Sequence, residues 1–92
     1  MIAADSMRFV AFWDDGQWVA QGLEHDICVQ ASSLDELHKR IAATVDAERD
    51  FAMSKGIEPF ANIGPAPQYY LDKWDRATPL ADSGPAQLAL CA

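Results

Sequence analysis

The sequence predicts an α+β fold. An antiparallel β-sheet of three or four strands packs against one long helix, in the order β-β-β-α-(β)-α. Three observations carry that prediction. "MRFVAFWDDGQWVAQGL" (residues 7–23) sets an Asp-Gly pair between two aromatic and branched runs, a strong hairpin signal. "DICVQA" (26–31) is a third short run of strand character. "SSLDELHKRIAATVDAERDFAMSKG" (32–56) carries helical start and stop signals around a helical apolar period.

The first strand is expected at 7–13 and its returning partner at 17–23. Gly readily takes the positive φ that a type I′ turn needs, so Asp15-Gly16 is the loop. Asp14 then pairs with Gln17 and Trp13 with Trp18. One face of this hairpin carries Met7, Phe9, Ala11, Trp13, Trp18 and Ala20. The other carries Val10, Phe12, Val19 and Leu23. Both faces are apolar, and a single helix covers one, so the second should meet another segment or another subunit. Gln21 and Gly22 weaken the end of the second strand and suggest a bulge. "GLEHD" (22–26) reads as a loop.

The long helix is expected at 33–55. Ser33 and Glu36 form a capping box, and Asp35 and Glu36 suit the positive end of the helix dipole. Leu34, Leu37, Ile41, Val45 and Ala52 share a face, and Gly56 after Lys55 is a natural stop. Phe60–Ile63 is read as a short fourth strand, ended by Pro65 and Pro67. "PQYYLDKWDRA" (67–77) is a second helix with Tyr70, Leu71 and Trp74 on one face. Residues 1–78 thus form one domain. Residues 79–92, rich in Pro, Gly, Ser and Ala, read as a flexible C-terminal tail.

Composition limits the function. A chain of 92 residues buries about 60–70% of its unfolded surface, so its core is small and oligomerisation would help it. The net charge is −7, from 14 acids against 7 bases, and the bases are dispersed among acids. That argues against direct nucleic-acid binding, which needs clustered cations, and against an anionic membrane surface. No apolar run approaches membrane-spanning length, and "MIAADSMRF" shows no signal-peptide pattern. Cys28 and Cys91 do not make a disulfide framework, so the expected setting is cytoplasmic with reduced thiols.

Glu24, His25, Asp26 and Cys28 form the one cluster of ligand-type side chains. Neighbours in an extended segment point to opposite sides, and a zinc site needs three or four converging ligands. A polar loop and a strand cysteine acting as a small core residue is the favoured reading. The acid pairs Asp14/Asp15, Glu24/Asp26 and Asp35/Glu36 have structural jobs in a turn, a loop and a helix start. No catalytic, cofactor-binding or metal-binding residue is assigned, and no enzyme activity or cofactor is expected. The aromatics are the candidate interface instead: Trp13, Trp18, Phe12, Tyr70 and Trp74, with Tyr69 raising the same choice.

"DDG", "WVA", "VQA" and "SLDEL" occur in that order within residues 7–55, and in this the chain resembles the HicB-like antitoxin domain family. The resemblance implies a β-β-β-α-β fold, related in shape to double-stranded-RNA-binding domains. It also implies an oligomer that binds a small toxin ribonuclease and covers its active site. Many members add a C-terminal DNA-binding segment. The loop "LEHDI" lacks the Pro and Gly that members often carry. The residues after 78 show no DNA-binding segment, so the resemblance is to a stand-alone domain.

The expected function is a small non-catalytic protein-interaction module that self-associates through its sheet, as a homodimer or larger homo-oligomer. One alternative is an antitoxin-like inhibitor of a small basic toxin ribonuclease, with the aromatics of the second helix and the acidic surface facing it. Another is a small-ligand or metal-binding protein using the Glu24–Cys28 loop.

Overall fold

The structure is a computed structural model that describes residues 7–83 and 86–91. Residues 1–6 and positions 84, 85 and 92 of the expected tail lie outside the described residues.

The hairpin forms as its turn chemistry dictates. β1 (Met7–Asp14) and β2 (Gln17–Gly22) pair antiparallel, with Asp14 opposite Gln17 and Trp13 opposite Trp18. Asp15 and Gly16 both have positive φ, 48° and 84°, which is the type I′ requirement. β3 (Cys28–Ala31) pairs antiparallel with β2. No bulge occurs at Gln21-Gly22, where the register with β1 runs on without a shift. Gly22 is there for space. A Cβ at this position would lie 2.7 Å from the His25 carbonyl oxygen and 2.7 Å from Met7 Cε.

α1 (Leu34–Lys55) has the expected cap residues, but only the Ser33 half of the capping box forms, and the Glu36 carboxylate accepts from Arg40 Nε at 3.3 Å. Ser33 Oγ accepts the Glu36 N–H at 3.1 Å, and Gly56 closes the helix with φ 68°. The front face of the sheet buries Met7, Phe9, Ala11, Ala20, Val29 and Ala31 against Leu37, Ile41 and Val45 of this helix. Val29 and Ala31, not Cys28, are the core residues of β3. Cys28 is exposed, because strand alternation turns it away from α1.

Residues 60–63 form turns rather than a fourth strand. Phe60 has φ 60° and buries its ring in the front core, so the backbone bends there instead of extending. The loop after α1 runs alongside residues 23–26: Asp26 N–H donates to the Gly64 carbonyl and Ala66 N–H to the Leu23 carbonyl. Phe60 is in the front core and the helix after the loop packs on the back, so this segment carries the chain from one face to the other.

α2 (Gln68–Asp75) lies on the back face. Tyr70, Leu71, Trp74 and Ala77 cover Val10, Leu23 and Cys91 there. The second apolar face of the hairpin therefore meets another segment of the same chain.

The expected tail instead contains two strands, β4 (Thr78–Ser83) and β5 (Ala86–Leu90). The sheet order is β3-β2-β1-β5-β4, with β5 parallel to β1 and antiparallel to β4. The sheet is thus mixed and five-stranded, not antiparallel with three or four strands. Ala86, Leu88, Ala89 and Cys91 are buried, so hydrophobic contact holds this segment in the sheet. Pro79 is accommodated because β4 is an edge strand, and the register shifts between Pro79 and Ala81. The architecture is α+β, with helices on the two faces of a mixed sheet.

Candidate functional site

Two helices cover the sheet, yet one end of it keeps large aromatic rings in contact with solvent. The type I′ turn sets Trp13 directly across from Trp18, and the two rings meet edge to face with centroids 5.3 Å apart. Trp18 leans on the front core, whereas Trp13 is 56% exposed. Phe12, one residue earlier, alternates to the back face and stacks on Tyr70 of α2 at 6.0 Å. Tyr70 meets Tyr69 edge to face at 5.0 Å, and Tyr69 is 60% exposed.

A lysine joins these rings. Lys73 lies one helical turn after Tyr69. Its Nζ sits 4.9 Å from the Phe12 ring centroid and 5.0 Å from that of Tyr69. An open cleft of about 300 Å³ lies at this end, lined by Phe12, Trp13, Trp18, Lys73, Leu90 and Cys91. Asp14 and Asp15 follow Trp13 directly and are exposed, as are Asp72 and Asp75 on α2. None of these four aspartates takes part in the Arg8–Glu24, Lys39–Asp35 or Arg40–Glu36 ion pairs.

Four of the five candidate interface residues, Phe12, Trp13, Trp18 and Tyr70, gather at this end. Trp74 does not join the cleft. It packs half-buried on the Val10–Leu23–Cys91 cluster, with the Arg8 guanidinium carbon 5.4 Å from its ring centroid. Its job is to hold α2 on the sheet. Sequence reasoning missed Lys73, Leu90 and Cys91. The helical spacing of Lys73 from Tyr69 was available as a signal. Leu90 and Cys91 were hidden by reading their segment as a tail.

The Glu24–Cys28 loop is occupied with structural contacts. Glu24 accepts from the Arg8 backbone N–H at 2.8 Å and pairs with the Arg8 guanidinium. His25 stacks on Phe60 with centroids 5.1 Å apart, and its Nδ1 lies 2.6 Å from the Ile63 carbonyl oxygen. A carbonyl can only accept, so Nδ1 carries the proton. Asp26 accepts from Gln21 Nε2 at 2.8 Å, which satisfies the buried Gln21 amide. Partial burial pushes the Cys28 thiol pKa up, and the Asp26 carboxylate adds to the effect. Such a thiol is a poorer nucleophile at neutral pH than a free cysteine. Among the described residues, no three His, Cys, Asp or Glu side chains converge in a way that could hold a metal ion. No described helix is long and apolar enough to cross a membrane.

A second exposed apolar patch lies at the far end of α1. Met53 and Ile57 are exposed there, Met53 to 80%, while Phe51 is exposed on another side of the helix with Lys55 over its ring. Arg49, Ala52, Met53, Ile57 and Pro59 line a cleft of about 350 Å³.

Comparison of the chain with models of known protein families, with curated proteins and with solved structures finds no match.

Proposed function

We propose that this chain is a small, non-catalytic, cytoplasmic interaction module of HicB-like type that docks another protein through its aromatic end. The observation that carries the proposal is Trp13, exposed to solvent and braced edge to face by the half-buried Trp18, beside the Phe12–Tyr70–Tyr69 stack. Large aromatics are costly to leave in water and are enriched among interface anchors. Here they stand on a hairpin held by the sheet and on a helix pinned by Trp74, so little ordering is needed on docking. The acidic balance of the chain, −7, favours a basic protein as occupant, which is the antitoxin-like form of the reading.

The test is capture from an extract of the native host, with the intact chain and its Trp13→Ser variant as baits. A protein retained by the first and lost from the second is the expected result. The same proteins on both baits would overturn the reading.

Self-association is the second reading, and the observation favouring it is the exposed Met53–Ile57 patch beside its cleft. α2 covers the Val10–Leu23–Cys91 part of the back face, so a second copy has this helix end and the uncovered back of β3 to meet.

A further inference from the structure

The aromatic end has a chemical preference of its own, an inference that rests on its being a docking surface. Four aromatic rings among the described residues already hold a cation. Lys73 lies over Phe12 and Tyr69, Arg8 over Trp74, and Lys55 over Phe51. Among the described residues, no Lys or Arg lies over Trp13 or Trp18. Indole is the aromatic ring that attracts a cation most strongly.

Among the described residues, Lys73 is the one charged residue in the cleft wall, and the carboxylates stand outside that wall, on the hairpin tip and on α2. Asp14 and Asp15 stand at the hairpin tip beside Trp13, and Asp72 and Asp75 line the exposed side of α2. A second copy brought to this end would set these carboxylates against their own duplicates. An anionic segment would meet the same repulsion. A cationic side chain would be drawn in by the carboxylates and held by the indoles.

We propose that the cleft between Trp13, Trp18 and Phe12 receives a cationic side chain of a partner protein. Arginine is favoured over lysine, because a planar guanidinium stacks on an indole as well as attracting it. Lys73 sits on the wall of this cleft and opposes a second cation. That gives its removal a definite sign.

The test uses the intact chain, ¹⁵N-labelled, with the indole N–H resonances of its three tryptophans as readout. The probes are three blocked peptides: Gly-Arg-Gly-Arg-Gly, the same peptide with uncharged citrulline for arginine, and the same with glutamate. The arginine peptide is expected to move the Trp13 and Trp18 signals and leave Trp74 in place. It should bind about tenfold more tightly than the citrulline peptide. Lys73→Gln should tighten arginine binding about twofold to threefold, and Asp14→Asn with Asp15→Asn should weaken it by a similar factor. Raising salt to about 0.5 M should shrink both effects.

Equal binding of the arginine and citrulline peptides would overturn the proposal. So would tighter binding of the glutamate peptide, or a shift confined to Trp74. Wild-type capture of a protein that Trp13→Ser loses, combined with unmoved indoles, would overturn the cation preference and leave the docking reading standing. Arginine binding at Trp13 and Trp18 with no Trp13-dependent capture would support the preference and overturn the docking reading.

Discussion

At the scale of single residues, Gly22 shows how closely the chain folds back on itself. Its N–H donates to the Ile27 carbonyl, and the His25 backbone passes where a side chain would begin. Gly22→Ala should therefore cost about 1–3 kcal/mol, read as a lower urea midpoint with an unchanged slope. The Met7 side chain can yield to a methyl group, whereas the His25 carbonyl cannot move without disturbing the loop. Glycine at this position is legible in the sequence as a break in strand pattern. Its reason is not, because the obstructing carbonyl comes from a loop whose path depends on the Asp26–Gly64 contact.

Cys28 supplies a second test at this scale. Its thiol holds its proton more tightly in the folded chain than a free cysteine does, first through partial burial and then through Asp26. Iodoacetamide labelling should thus reach half its maximal rate at a higher pH than for a free thiol. Asp26→Asn should move that midpoint part of the way back, since burial is the larger cause. The sign for stability comes from linkage. The folded state binds the proton more tightly, so this contribution is complete below the unfolded thiol range. It is lost as pH rises through the folded one. Strand alternation alone allows either face of β3 to be the buried one. Only the position of α1 decides for Val29 over Cys28.

At the scale of elements, β5 separates what neighbouring residues encode from what distant ones do. The β1–β2 register is set by a two-residue turn, and the limits of α1 by Ser33 and Gly56, all local signals. The place of β5 comes from parallel pairing with β1, at the other end of the chain. Its alanines and the Ser-Gly-Pro before it carry little strand character. Leu88 tests the difference. It is buried in the front core opposite Phe9, so Leu88→Ala should cost about 2–4 kcal/mol in urea unfolding. A value near zero would mean that the segment is dispensable. The edges of the sheet are guarded in different ways. Arg40 Nη1 donates to the Gln30 carbonyl of β3 at 2.7 Å, and Pro79 and an irregular register interrupt β4.

At the scale of the molecule, the two helices and the five-stranded sheet bury a core on each face, and among the described residues exposed apolar side chains include those of the aromatic end and of the end of α1. The aromatic end combines rigid rings with carboxylates, and the end of α1 exposes the unbranched, adaptable Met53 side chain near Ile57. The candidate site is only half legible in the sequence. The Trp13–Trp18 pairing is dictated by the turn, while the approach of Phe12 to Tyr70 depends on which face α2 takes. If copies associate through the α1 end, sedimentation at tens of micromolar should show a dimer that Met53→Ser dissociates. A strict monomer would remove self-association.

The claim that the aromatic end is the docking surface is tested most directly by comparing three baits in the native host's extract: the intact chain, Trp13→Ser and Met53→Ser. Both substitutions fall on exposed side chains, so each variant should keep the fold. A basic protein should be retained by the intact chain and by Met53→Ser, and be absent from Trp13→Ser. Retention of that protein by Trp13→Ser, or its loss from Met53→Ser alone, would contradict the claim.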